Sequence, residues 1–143
     1  MKEIIEILAV VVTGALVGVE FGVTAFSHPI LERLPETAYS QGRSASARIL
    51  GKVMPFWYGL VVLLLLTVVV LQPGPLLFAA VVVMGAVMLL TFTLLVPANN
   101  RVAAWAGPAD VSRELAGRWD RLHWVRVALL AVVFVLLVVG SGR

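Results

Sequence analysis

Few side chains in this sequence can do acid–base or ligand chemistry, and a handful of them stand where charge is expensive. Glu20 interrupts an apolar run over residues 4–26, and His123 and Arg126 sit at the opening of another that ends at Gly140. A charged group near a bilayer centre costs about 2.5 to 3.5 kcal/mol on insertion scales, so it faces the bundle interior and usually has a task. Glu6, Thr13, Glu20 and Ser27 recur every seven residues, with Thr24 one turn after Glu20. On a helix that spacing makes a single polar stripe. Trp119, His123 and Arg126 share a helical face at spacings of four and three. Asp120, three residues before His123, is placed to orient its ring. Tyr58, Asn99, Asn100 and His28 gather near the same ends of the apolar runs, where the chemistry is expected.

The elements that must position these groups follow from composition. Of 143 residues, 61% are hydrophobic and 13% charged, which excludes a cytosolic globule, a disordered chain and a fibrous repeat. Crossing about 30 Å of hydrocarbon takes about 20 helical residues. Four runs qualify, at about 4–26, 53–71, 76–96 and 122–140. They do not alternate polar and apolar residues as barrel strands do, and a helix satisfies its own backbone in lipid. The sequence predicts an all-α, four-helix transmembrane bundle forming one membrane domain. The first run is too long for a cleaved signal peptide and is expected to be retained. No cysteine is present, which removes disulfides and thiolate sites. The net charge of +3 lies in loop arginines with no soluble domain to carry it, so nucleic acid is not expected as a partner.

Gln72-Pro73-Gly74-Pro75 is a tight reversal, whereas the links at 28–52 and 97–121 are long and polar. Nine of the eleven basic residues lie in or beside these two links, and Lys2 and Arg143 flank the other side. By the positive-inside rule both long links are cytoplasmic and both termini outside. Short interfacial helices are expected in 29–50 and 98–121. Ser27 or His28 would cap the first at Pro29, with Ile30, Leu31 and Leu34 against the bilayer, and residues 44–52 winding on into the second span. Asp110 or Ser112 would cap a helix running through Arg118 into the fourth. Gly14, Gly18 and Gly22 form a ridge that admits a neighbouring backbone or a second copy of the chain. Trp57, Trp105, Trp119, Trp124 and Tyr58 have the alternative of an interfacial belt, and Arg126 that of snorkelling to headgroups. Glu20 has the alternative of a neutral carboxyl bonded to a neighbouring helix. No internal repeat is evident.

Val96-Pro97-Ala98-Asn99-Asn100-Arg101, followed by Arg118-Trp119-Asp120-Arg121-Leu122-His123-Trp124-Val125-Arg126, resembles the anthrone-oxygenase-like family. The resemblance covers the whole chain in architecture and rests on its last third in residues. It implies an integral membrane protein, and fungal members convert anthrones to anthraquinones with molecular oxygen. It also implies Asn100, Trp119, His123 and Arg126 as functional positions, to which the first span adds Glu20. His123 would be the base, since histidine titrates near neutral pH. Arg126 and Asn100 would stabilise an enolate oxygen. Trp119, Tyr58, Asn99 and Thr24 would hold a small, flat hydrophobic molecule.

Two other readings stand beside this one. His123, Glu20 and His28, with Asp120 behind them, could ligate iron or copper, or supply axial ligands to haem, in a membrane redox protein. A bundle that binds a lipid, quinone or drug-like molecule without turnover, or serves as a complex subunit, is the non-enzymatic alternative.

Overall fold

A computed structural model describes residues 1–142; Arg143, one of the two basic residues expected beside the termini, lies outside the described residues. Four helices account for nearly all of the chain: α1 (Lys2–Glu32), α2 (Glu36–Leu71), α3 (Pro75–Ala103) and α4 (Arg113–Ser141). No strand occurs among the described residues. Each helix packs on its neighbour in sequence, and α1 also packs on α4, which closes an up-down-up-down ring. All four are long and apolar enough to cross a membrane, with mean hydropathy of 2.2 to 2.6 over their best windows. Most of those windows is unburied, and Val11, Phe56, Val70, Val82, Leu89 and Phe92 point outward. The protein is a membrane protein, and its outer surface is solvated by lipid tails.

The helices run beyond the expected spans. At 1.5 Å per residue the 36 residues of α2 extend about 54 Å, well past a hydrocarbon core of about 30 Å. The overhang is ordered because it has its own small core, Tyr39, Ala47, Val102, Trp105 and Ala116, drawn from both long links. Both links therefore lie at the same end of the bundle. Arg113 ties this end together by pairing with Glu32 at 2.6 Å and Glu36 at 2.9 Å over the face of Tyr39. The main core of Ala9, Leu16, Val61, Leu65, Met84 and Leu130 fills the other half of the bundle.

Two helices contain a π-turn, and each π-turn ends two residues before a proline. Val23–Ser27 precedes Pro29, and Thr91–Leu95 precedes Pro97. A proline ring clashes with the carbonyl four residues back and offers no N–H to it. Widening the preceding turn relieves the clash without ending the helix. Consequently no separate capped helix starts at Pro29: neither Ser27 nor His28 makes a side-chain cap, and α1 continues to Glu32. The extra residue also shifts the stripe. Ser27, expected on the polar face with Glu20, is exposed, and His28 is buried in its place.

Other expectations are met or corrected in detail. Ser112 accepts a hydrogen bond from the Leu115 N–H and caps α4, whereas Asp110 instead accepts from the Ala106 N–H. Of the glycine ridge, only Gly14 meets a neighbour, the Phe134 ring on α4, which a Cβ would approach to 3.0 Å. Gly18 and Gly22 face open space within 4 Å, so the ridge does not seat a helix backbone within the bundle. Ile30 and Leu34 are exposed, while Leu31 packs inward on the link-end core.

Candidate functional site

Glu20 of α1 is the hub of a buried cluster between the two cores. Only 1% of its surface is exposed, and its carboxylate pairs with three side chains from two other helices. The Tyr58 hydroxyl, from α2, donates to Oε1 at 3.0 Å. Arg126 Nη2, from α4, reaches Oε1 at 3.0 Å and Oε2 at 2.8 Å. His123 Nε2, one turn earlier on α4, contacts Oε2. Taking two opposite charges out of water is repaid only when the pair is well bonded. The carboxylate here has a guanidinium, an imidazole and a phenol. Arg126 does not snorkel; its guanidinium also lies 5.3 Å from the Tyr58 ring centre.

The cluster forms one wall of a cavity of about 210 Å³. Glu20, Tyr58, His123, Arg126 and Trp119 supply its polar and aromatic side. Met54, Pro55, Met88, Phe92, Leu95 and Val96 supply the apolar side, where α2 carries Pro55, which has no N–H to donate, and α3 carries the second π-turn. Asn99 and Asn100 lie at the link-end rim. Asn99 is committed to holding that rim, since its Nδ2 donates to the Ala47 carbonyl at 3.0 Å, whereas Asn100 is exposed. Gly51 permits this contact: a Cβ there would stand 2.9 Å from Asn99 Nδ2.

Of the residues singled out in the sequence, Glu20, Tyr58, Asn99, Asn100, Trp119, His123 and Arg126 come together around the cavity. Thr24 is buried one turn below Glu20 but does not line the cavity, and its hydroxyl has no hydrogen-bond partner. His28 also lies outside the cavity, its ring centre 5.6 Å from that of His123. Among the described residues no group of three or more His, Cys, Asp or Glu side chains is arranged to hold a metal ion. The set His123, Glu20 and His28 is not assembled, because Glu20 spends both oxygens on Arg126, His123 and Tyr58.

Asp120 does not orient His123 as its spacing suggested. Its Oδ1 lies 2.9 Å from His28 Nδ1 and accepts from Arg43 Nη2 at 2.8 Å. Arg43 reads in the sequence as a solvated link charge, yet it is 1% exposed and its guanidinium lies 5.0 Å from the Trp119 ring centre. The signal that marks it is the small residues on its own face, Ser40, Ser44 and Ala47, which let α2 come close enough to bury it. Of the four tryptophans, Trp119 and Trp105 are buried and Trp57 donates to the Val12 carbonyl at 3.1 Å. Only Trp124 has the outward exposure of a belt residue, at 45%.

Fold and site thus define a polytopic membrane helix bundle with a buried carboxylate–histidine–arginine centre beside an apolar cavity. A profile of the anthrone oxygenase family matches residues 47–136, more than half of the chain, and the chain belongs to that family. The match takes in α2 beyond Ala47, all of α3 and α4 through the site. No curated protein and no solved structure matches the chain.

Proposed function

We propose that this protein is a membrane oxygenase that takes a flat hydrophobic molecule with an acidic C–H, of the anthrone type, and oxidises it with molecular oxygen. The observation that carries this reading is the state of His123. Its Nε2 is engaged by Glu20, while its Nδ1 is buried without a partner in a residue that borders an apolar cavity. A carboxylate that accepts from one ring nitrogen fixes the tautomer and leaves the lone pair of the other as a base.

His123 Nδ1 takes one proton from the ring CH2 of the anthrone. The electron pair left behind spreads onto the carbonyl oxygen, where Arg126 stabilises the negative charge. Arg126 gives Nη2 to Glu20, but its Nε is buried with no protein partner and is free to donate. Asn100, at the rim, is the second donor. The electron-rich carbon forms a C–O bond with oxygen, and the peroxide takes the proton back from His123. Loss of the second C–H proton then breaks the O–O bond and forms the new carbonyl, and the departing hydroxide leaves as water. Anthrone and one O2 become anthraquinone and one H2O: the CH2 carbon loses four electrons and O2 gains them. Glu20 stabilises the imidazolium formed between steps.

The cavity is smaller than the roughly 300 to 1,000 Å³ of drug-ligand pockets. Its apolar side supports a substrate whose reacting ring enters between α2 and α3 while the remainder stays among the lipid tails. The distribution of basic residues supports a cytoplasmic location for both long links, with the site near the inner leaflet and both termini outside. Open space over Gly18 and Gly22 leaves that face of α1 accessible to a second copy of the chain.

The test is oxygen uptake and anthraquinone formation from anthrone by purified protein in detergent or vesicles. His123→Ala should lower turnover by about 100-fold or more, the range of general acid–base catalysis, in protein shown to be folded by a cooperative unfolding transition. Wild-type turnover in a folded His123→Ala protein would overturn this mechanism. Binding of anthrone without oxygen uptake by the wild type would favour the non-enzymatic alternative.

A further inference from the structure

A second pair of titratable side chains lies beside the site and takes no part in the steps above. His28, at the far end of the first π-turn, is 2% exposed. Its ring stands edge-on to that of His123 at 66°, with centres 5.6 Å apart, a gap that direct contact or one bridging water spans. Both rings carry unspent nitrogens: His123 Nδ1, His28 Nδ1 and His28 Nε2 are all buried without a hydrogen-bond partner. Burying an unmet polar nitrogen is costly, so three of them on adjacent rings call for a purpose. His28 Nδ1 lies 2.9 Å from Asp120 Oδ1, within ion-pair reach though not aligned as a hydrogen bond, so a small ring rotation completes the link. Asp120 is the first member of this series to meet solvent, its side chain being 23% exposed at the link end. Trp119 walls the row, with its ring 5.1 Å from His28 and 5.9 Å from His123. Arg43 holds Asp120 in place through Nη2.

We propose that His28 and Asp120 form a proton relay between His123 and the aqueous surface of the long links. The proposal rests on the oxygenase reading, for which it supplies a missing element. A proton held on His123 after abstraction stays next to the carbanion, where its return competes with the reaction with oxygen. Passing that proton from His123 Nδ1 to His28 Nε2, while His28 Nδ1–H moves to the Asp120 carboxylate, separates it from the carbanion by a whole imidazole. The same movement in reverse delivers the proton to the peroxide and resets both tautomers. Each transfer breaks one N–H bond and forms one N–H or O–H bond, with no change in redox state. The groups facing His28 are Asp120 and His123 from α4, with Arg43 from α2 behind Asp120.

The experiment is deuterium wash-in to anthrone without oxygen. The full-length protein is incubated anaerobically with anthrone in D2O, and deuterium in the recovered anthrone is measured by mass spectrometry against the His123→Ala rate. Wild type should exchange well above that background. His28→Gln should lower exchange by roughly 10- to 100-fold, more than it lowers turnover in air, because a base with no outlet returns the proton it removed. A residue that merely supported the fold would lower both together and would lower the unfolding midpoint. Asp120→Asn, which keeps shape and removes the acceptor, carries the same expectation and serves if His28→Gln does not fold. Wild-type exchange in either folded variant overturns the relay. A wild type that oxidises anthrone but exchanges no faster than His123→Ala overturns the relay alone. A wild type that does neither overturns the oxygenase reading and the relay with it.

Discussion

Glu20 shows how one carboxylate organises a membrane interior. It neutralises Arg126, engages His123 and accepts from Tyr58, so three helices depend on a single side chain. Removing one member of a buried ion pair leaves the other uncompensated, at about 3 to 5 kcal/mol. Glu20→Ala should therefore destabilise the protein by about that amount, measured by denaturant unfolding in detergent. Adding Arg126→Leu should restore most of it, because no stranded charge then remains. A single variant as stable as wild type would mean that the guanidinium finds another partner. That Glu20, His123 and Arg126 would be buried is legible in the sequence, because ionisable residues are costly in an apolar span. Arg43 is not, because an arginine on a polar link looks solvated until the packing of α1 and α4 around it is known. The partner of Asp120 is likewise invisible, since a three-residue spacing favours His123 while the fold presents His28.

At the scale of the element, the two proline-linked π-turns aim His28 and the asparagine rim beside the central cluster. In α1 the π-turn replaces Ser27 by His28 on the inward face, and in α3 it precedes the turn bearing Asn99 and Asn100. The prolines were visible in the sequence; their effect on register was not, because a proline can equally end a helix, kink it or widen the turn before it. Pro97→Ala removes the clash and restores an N–H. The turn at Thr91–Leu95 should then relax toward α geometry, rotating Asn99 away from the Ala47 carbonyl and shifting the cavity rim. Anthrone turnover should fall about tenfold while the unfolding midpoint holds or rises, since an interior proline costs a helix roughly 3 kcal/mol. Equal loss of stability and turnover would show that the π-turn is needed for folding rather than for aim.

For the whole molecule, sidedness is the property most open to direct measurement. The chain has no cysteine, so single-cysteine variants carry no labelling background. With both links cytoplasmic, Arg118→Cys should resist a membrane-impermeant maleimide in intact cells and react after lysis, whereas Gly142→Cys should react in intact cells. The reverse pattern would invert the topology and put the relay's outlet on the outer face. Class, number of spans and the residues worth watching were determined by the sequence alone. The physical reason is that lipid imposes a one-dimensional rule: about 20 apolar residues per crossing, with a cost on every charge. Which of those charges meet was decided only by the tertiary structure. Glu20, Tyr58 and His123 come from three helices far apart in the chain, and their contacts depend on helix rotation. A π-turn further alters the rotation of the residues that follow it, as for His28, a change that hydropathy does not register.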